Sequence, residues 1–118
     1  MITAAKTFES YQADDDVTVI QFTVAEIDFI NHDLVATELR DLVETDCPSK
    51  LLLDMKRIHH LSRPGLSLLV VLLRNVSRDG GRLRLCSLLP QVQQAFGRLS
   101  LDRVFAIYED LPQALQDF

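Results

Sequence analysis

Short runs that are apolar on both faces of an extended chain alternate here with longer stretches whose apolar residues recur every three to four positions. In the run Val17 to Phe22, Val17, Val19 and Gln21 alternate with Thr18, Ile20 and Phe22. Only Thr18 and Gln21 are polar, a pattern that predicts a strand covered by helices. A second strand-like run, Lys6 to Gln12, precedes it, and Asp14, Asp15 and Asp16 between the two predict a hairpin turn. Residues 23–31 show no regular period. From Asp33 to Glu44 the apolar Leu34, Val35, Leu39, Leu42 and Val43 return at helical spacing, with Asn31 or Asp33 placed to cap the first turn and Pro48 marking the exit.

The second half repeats this alternation. Lys50 to Ile58 holds Leu51, Leu52, Leu53, Met55 and Ile58, the continuous apolar character of a strand inside a parallel sheet. A polar, basic patch (Arg57, His59, His60, Ser62, Arg63) leads to Pro64 and Gly65, and Leu66 to Arg78 reads as a helix with proline in its first turn. Gly80 or Gly81 supplies the left-handed stop. Leu83, Leu85 and Cys86 predict a strand, and Pro90 opens a helix carrying Val92, Ala95, Phe96 and Leu99. Val104 to Tyr108 predicts a last strand, and Leu111 to Phe118 a closing helix. The order ββαβαβαβα implies crossover connections: an α/β fold with a mainly parallel sheet of four or five strands, about four helices and an N-terminal hairpin.

With Leu66 at zero and steps of roughly 100°, Leu68, Leu69, Val70, Leu72, Leu73 and Val76 join it on an arc of roughly 200°. Val71 falls outside that arc, among Ser67, Arg74 and Arg78. A single exposed valine is commonplace and means nothing by itself; beside Arg63 and Pro64 it becomes a candidate hot-spot centre with a basic rim.

Length and composition fit one globular domain spanning residues 1–118, with 47% hydrophobic and 25% charged residues. The first residues, Met1 to Lys6, lack the form of a signal peptide. The longest apolar run, Leu68 to Leu73, covers six residues, against the roughly 18 of a spanning helix. Cys47 and Cys86 have no paired spacing and read as reduced thiols, which together places the chain in the cytoplasm. The net charge of −5 argues against nucleic acid. That charge is unevenly spread: residues 1–49 hold 2 basic and 11 acidic side chains, residues 50–84 hold 8 basic and 2 acidic. The middle third therefore carries a local positive field, which reads either as a dipolar surface without consequence or as steering of an acidic partner or a phosphate group toward that region.

Catalytic readings find little support. His59 and His60 are neighbours on an extended segment and point to opposite faces, so they do not share a metal. The expectation is no metal and no cofactor. Cys86 reads as a small buried hydrophobe and Cys47 as an exposed loop thiol with no neighbour to activate it. No phosphate-cradling glycine motif is present. A regulatory binding protein, not an enzyme, is the expectation.

Five segments support that expectation: Leu51-Leu52-Leu53-Asp54-Met55, Ser62-Arg63-Pro64-Gly65-Leu66, Gly80-Gly81-Arg82-Leu83, Pro90-Gln91-Val92, and Leu101-Asp102-Arg103-Val104-Phe105. Through them the chain from Leu51 to its end resembles the STAS domain family, best known as anti-sigma factor antagonists. The resemblance implies a partner-switching regulator that binds an anti-sigma factor of the GHKL serine-kinase type. The alternative it implies is an accessory subunit of a larger complex, an ABC lipid-transport ATPase or a stressosome-like assembly. It also implies a tip reading Asp-Ser-Ser-Gly, whose first serine accepts phosphate. Here Ser62 stands in place of the aspartate, Arg63 in place of the acceptor and Pro64 in place of the second serine; Gly65 alone is kept. A phosphoserine brings roughly −1.5 to −2 charges, whereas arginine is permanently positive, so the usual switch is not expected to operate. Ser62 itself is either a helix N-cap or, one residue out of register, a phosphosite. The expected partner-binding set is Ser62, Arg63, Pro64, Gly65, Ser67, Val71 and Arg74.

Overall fold

The computed structural model describes residues 7–118. The signal-peptide reading and the Lys6 end of the first predicted strand lie outside them. The sheet starts at its edge with β1 (Phe8–Gln12), antiparallel to β2 (Thr18–Phe22), and β2 runs parallel to β4 (Lys50–Asp54). β6 (Arg82–Cys86) and β7 (Ala106–Tyr108) continue the parallel sheet in the order β1-β2-β4-β6-β7. The predicted aspartate hairpin is present: Asp14–Asp16 form a 3-10 turn, closed by the Ala13 amide donating to Val17 O at 2.7 Å.

Four helices cover the sheet: α1 (His32–Asp46), α2 (Arg63–Arg78), α3 (Pro90–Arg98) and α4 (Leu111–Leu115). Strand alternation separates two cores. Ile20, Phe22, Leu51, Leu53, Leu83 and Leu85 face α1, α2 and α3. Val17, Val19, Leu52 and Cys86 face the other way, against Ala114 of α4 and Phe118. Both faces of β2 and β4 are thus buried, and these two strands are largely apolar, whereas β1 and β6 keep polar residues in alternation with apolar ones.

Several boundaries differ from the sequence expectation. Residues 23–31 contain a short strand, β3 (Glu26–Ile27), which pairs in parallel with β5 (His60–Leu61) in a separate two-stranded sheet. The strand expected over 50–58 ends at Asp54. There the buried carboxylate accepts from Gln21 Nε2 at 3.3 Å and from the Lys56 amide at 3.2 Å, turning the chain out of the sheet. Helix α2 begins at Arg63 and not at Leu66, because Pro64 is preset for a first helical turn and needs no amide partner. Leu99 lies just beyond α3 and is exposed, Val104 sits in the turn after the 3-10 segment Leu101–Arg103, and α4 stops at Leu115. Gly80, at φ 80°, provides the left-handed stop after α2.

Candidate functional site

The tip is the junction between β5 and α2, and β3 holds it. The Ile27 carbonyl accepts from the Ser62 amide at 3.0 Å and again from the Ser62 hydroxyl at 3.1 Å. Ser62 does occupy the N-cap position, yet its side chain caps no α2 amide. The N-cap reading of its hydroxyl is therefore corrected: the side chain is turned to donate to the Ile27 carbonyl on β3, and its oxygen accepts from no α2 amide. Gly65 is buried directly beneath, where a Cβ would stand 2.8 Å from the same Ile27 oxygen. Its lack of a side chain is what allows this close approach.

Arg63, Ser67 and Val71 follow at steps of four along α2, with Arg74 three residues further, so they form one stripe. Arg63, Ser67 and Arg74 are exposed, Ser62 and Pro64 half-buried, and Val71 is 48% exposed. The predicted residues other than Gly65 thus share one accessible face.

The segment joining β3 to α1 adds residues that the sequence reading passed over. Asp28 Oδ1 accepts the amides of Ile30 at 2.9 Å and Asn31 at 3.0 Å, while Asn31 Oδ1 accepts the Asp28 amide at 2.9 Å. These bonds hold the Asp28 carboxyl below its usual pKa, with His60 adding a smaller pull. They also mean that neither Asn31 nor Asp33 caps α1 in the expected way; Asn31 stands at the N-cap with its side chain committed to the turn. The turn leaves Phe29 74% and Ile30 92% exposed, immediately beyond the Ile27 that anchors the tip. Two consecutive large apolar residues in an aperiodic segment were the available signal.

The other chemistry-bearing groups are kept apart. His60 lies on β5 next to Asp28, and His59 donates its amide to Ala25 O at 2.7 Å. Among the described residues no group of three or more His, Cys, Asp or Glu is arranged to hold a metal ion. Cys86 is buried, and that burial pushes its thiol up to about 11. Among the described residues, no helix is long and apolar enough to cross a membrane.

The STAS domain model matches residues 10–114. The chain belongs to the STAS domain family. Its solved likenesses agree. A Thermotoga maritima protein proposed to be an anti-sigma factor antagonist is 21% identical, with 96% of this chain and 95% of that one covered at a TM-score of 0.82. An anti-sigma factor antagonist from Mycobacterium paratuberculosis is 23% identical, with coverages of 98% and 92% and a TM-score of 0.80. The Bacillus cell fate determinant SpoIIAA in its phosphorylated form is 14% identical, with coverages of 90% and 93% and a TM-score of 0.68. At these identities the structures establish the fold, a mixed α/β STAS fold with its antiparallel N-terminal hairpin.

Proposed function

We propose that this STAS protein is an anti-sigma factor antagonist-like regulator that binds an anti-sigma factor of the GHKL serine-kinase type through its tip and the outer stripe of α2. Binding proceeds without phosphorylation of the tip and without any catalysis by this chain. Arg63, Ser67, Val71 and Arg74 form the contact stripe, Ser62, Pro64 and Gly65 shape its origin, and Phe29 and Ile30 extend it with apolar area.

One observation carries the reading. The first turn of α2 has no acidic residue and holds an exposed arginine, Arg63, where unpaired helix amides already create positive potential. A local arrangement that opposes helix stability is reasonable where a partner supplies the compensating negative charge. The Ser62 hydroxyl, meanwhile, is engaged by Ile27, which argues against its use as a phosphate acceptor.

The test is affinity capture from native cells with mass spectrometry of bait and prey. A GHKL-type kinase recovered with the wild type and depleted with Arg63→Glu is the expected result. Recovery of a lipid-transport ATPase or a stressosome-like assembly instead reverses the assignment in favour of an accessory subunit, and phosphate on Ser62 overturns the unphosphorylated mode.

A further inference from the structure

Residues 110–118 lie across the sheet face opposite α1, α2 and α3. We propose that they form a strap that opens as a unit while the rest of the fold stays closed. The strap gives Ala114 and Phe118 to the smaller core, beside Val17, Val19, Leu52 and Cys86, with Leu111 and Leu115 packed at its border. No residue of 110–118 belongs to the larger core on the other face. Opening the strap therefore leaves the larger core intact. What it uncovers is the apolar face made by Val17, Val19 and Leu52, together with the Cys86 thiol.

One side chain supplies the polar hold on this strap. Helix α4 has five residues, too few to be stable without packing. Its own hydrogen bonds are local: Asp110 accepts the Gln113 amide at 2.9 Å, the Ala114 amide donates to Asp110 O and the Gln116 amide to Gln113 O. Among the described residues, the hydrogen bonds from the sheet to the strap all come from Arg84, which donates to the carbonyls of Ala114, Gln116 and Asp117. Its guanidinium makes no ion pair among the described residues and lies against the Phe118 and Tyr108 rings. Asp117 is held at φ 51°, in the left-handed region that costs a residue with a Cβ, and Arg84 bonds its carbonyl there. Loss of the Arg84 contacts thus frees the end of α4, the strained Asp117 and the Phe118 ring together. A segment fixed by so few contacts opens at a free energy below that of global unfolding.

Cys86 is the reporter, since its thiol is buried in the core that the strap closes. In the full chain at pH 8, an excess of a disulfide reagent consumes the exposed Cys47 first. The slow phase, assigned to Cys86 by mass spectrometry of the labelled peptide, is then followed in urea below the unfolding transition. Its rate is expected to rise with urea at about half the slope of global unfolding or less, because opening the strap exposes little surface. Arg84→Ala and Phe118→Ala should each speed it ten-fold or more. Gly65→Ala, at the tip on the other side of the sheet, should lower the urea midpoint yet leave the Cys86 rate within two-fold of wild type. Amide exchange in the wild type gives a reading that needs no variant: the Ala114 and Gln116 amides should open with the same free energy as the Cys86 thiol, below that of Leu52. A Cys86 rate with the full urea slope, its acceleration by Gly65→Ala in proportion to the lost stability, or an Ala114 amide as protected as that of Leu52 overturns the proposal, because the strap then opens only with the whole fold. Unchanged Cys86 labelling in Arg84→Ala overturns it too, by removing the latch.

Discussion

Arg84 lies 4.4 Å beneath the ring of Phe118, joining the middle of strand β6 to the last residue of the chain. Its guanidinium also sits 4.8 Å from the Tyr108 ring. It donates to the carbonyls of Ala114 at 3.0 Å, Gln116 at 2.7 Å and Asp117 at 2.9 Å. One charged side chain thus satisfies the carbonyl end of α4 and seats that helix on the sheet. Arg84→Ala should cost about 2 kcal/mol from lost charged hydrogen bonds and ring contacts. Arg84→Lys should recover little of it, since an ammonium cannot present a planar fork between two rings. Urea unfolding of the three proteins provides the measurement.

Gly65 faces a more rigid obstacle. A methyl group there would meet the Ile27 carbonyl at 2.8 Å, and that oxygen already serves two donors of Ser62. Gly65→Ala should therefore push α2 away from β3 and destabilise the fold by about 1 to 3 kcal/mol. Amide exchange at Ser62 should accelerate more than exchange in β4 or β6. Uniform acceleration across the sheet would mean that the contact is not local to the tip.

The two thiols should separate cleanly. Cys47 is exposed, in a left-handed conformation that ends α1, while Cys86 is buried with its pKa raised to about 11. Only the thiolate reacts. At pH 8 a disulfide reagent should titrate one thiol rapidly in native protein and the second only on unfolding. Fast labelling of both thiols would contradict the buried setting of Cys86.

Asp28 gives a pH signature at the acid end. Its carboxylate accepts the amides of Asn31 and Ile30, which lowers its pKa in the folded chain. The stabilisation is therefore fully present above the unfolded carboxyl value, about 3.9, and is lost as pH falls through the lower folded value. Asp28→Asn keeps an acceptor oxygen but does not titrate. Its urea midpoint should fall less steeply than that of wild type below pH 4, and coincident acid limbs would remove Asp28 from the account.

What the sequence disclosed follows the length of the signal. Strands β1, β2, β4 and β6 and helices α1 and α2 run long enough for apolar periodicity to show, and each was expected, with only its ends displaced. Strands β3 and β5 have two residues each, too few for any period, and the Ile27–Ser62 contact joins residues 35 apart. Serine before a proline-bearing helix start predicts an N-cap from local propensity alone; the tertiary placement of Ile27 overrides it. Likewise Val71 was visible as an outlier on a helical wheel, but the groove it lines between α2 and α1 joins it to Arg40, 31 positions away. Arg84 is legible only as a charge within an apolar strand until α4 is placed upon it.

Arg63 offers the strictest test, because its effects on stability and on binding should have opposite signs. It stands in the first turn of α2, at the positive end of the helix, with no acidic neighbour in that turn. Like charge at a helix start is unfavourable, and the reverse charge contributes about 0.3 to 1 kcal/mol at an exposed site. Arg63→Glu should accordingly raise the unfolding free energy by that order, with Arg63→Ala intermediate. If the basic tip serves a partner, the same series should weaken capture of the kinase in the same rank order, and the loss should shrink as salt screens the interaction. A variant that is both more stable and equally well captured would leave Arg63 without a binding role. One that is less stable would show that the arginine supports the fold through packing, and any loss of capture would then follow from a disturbed tip.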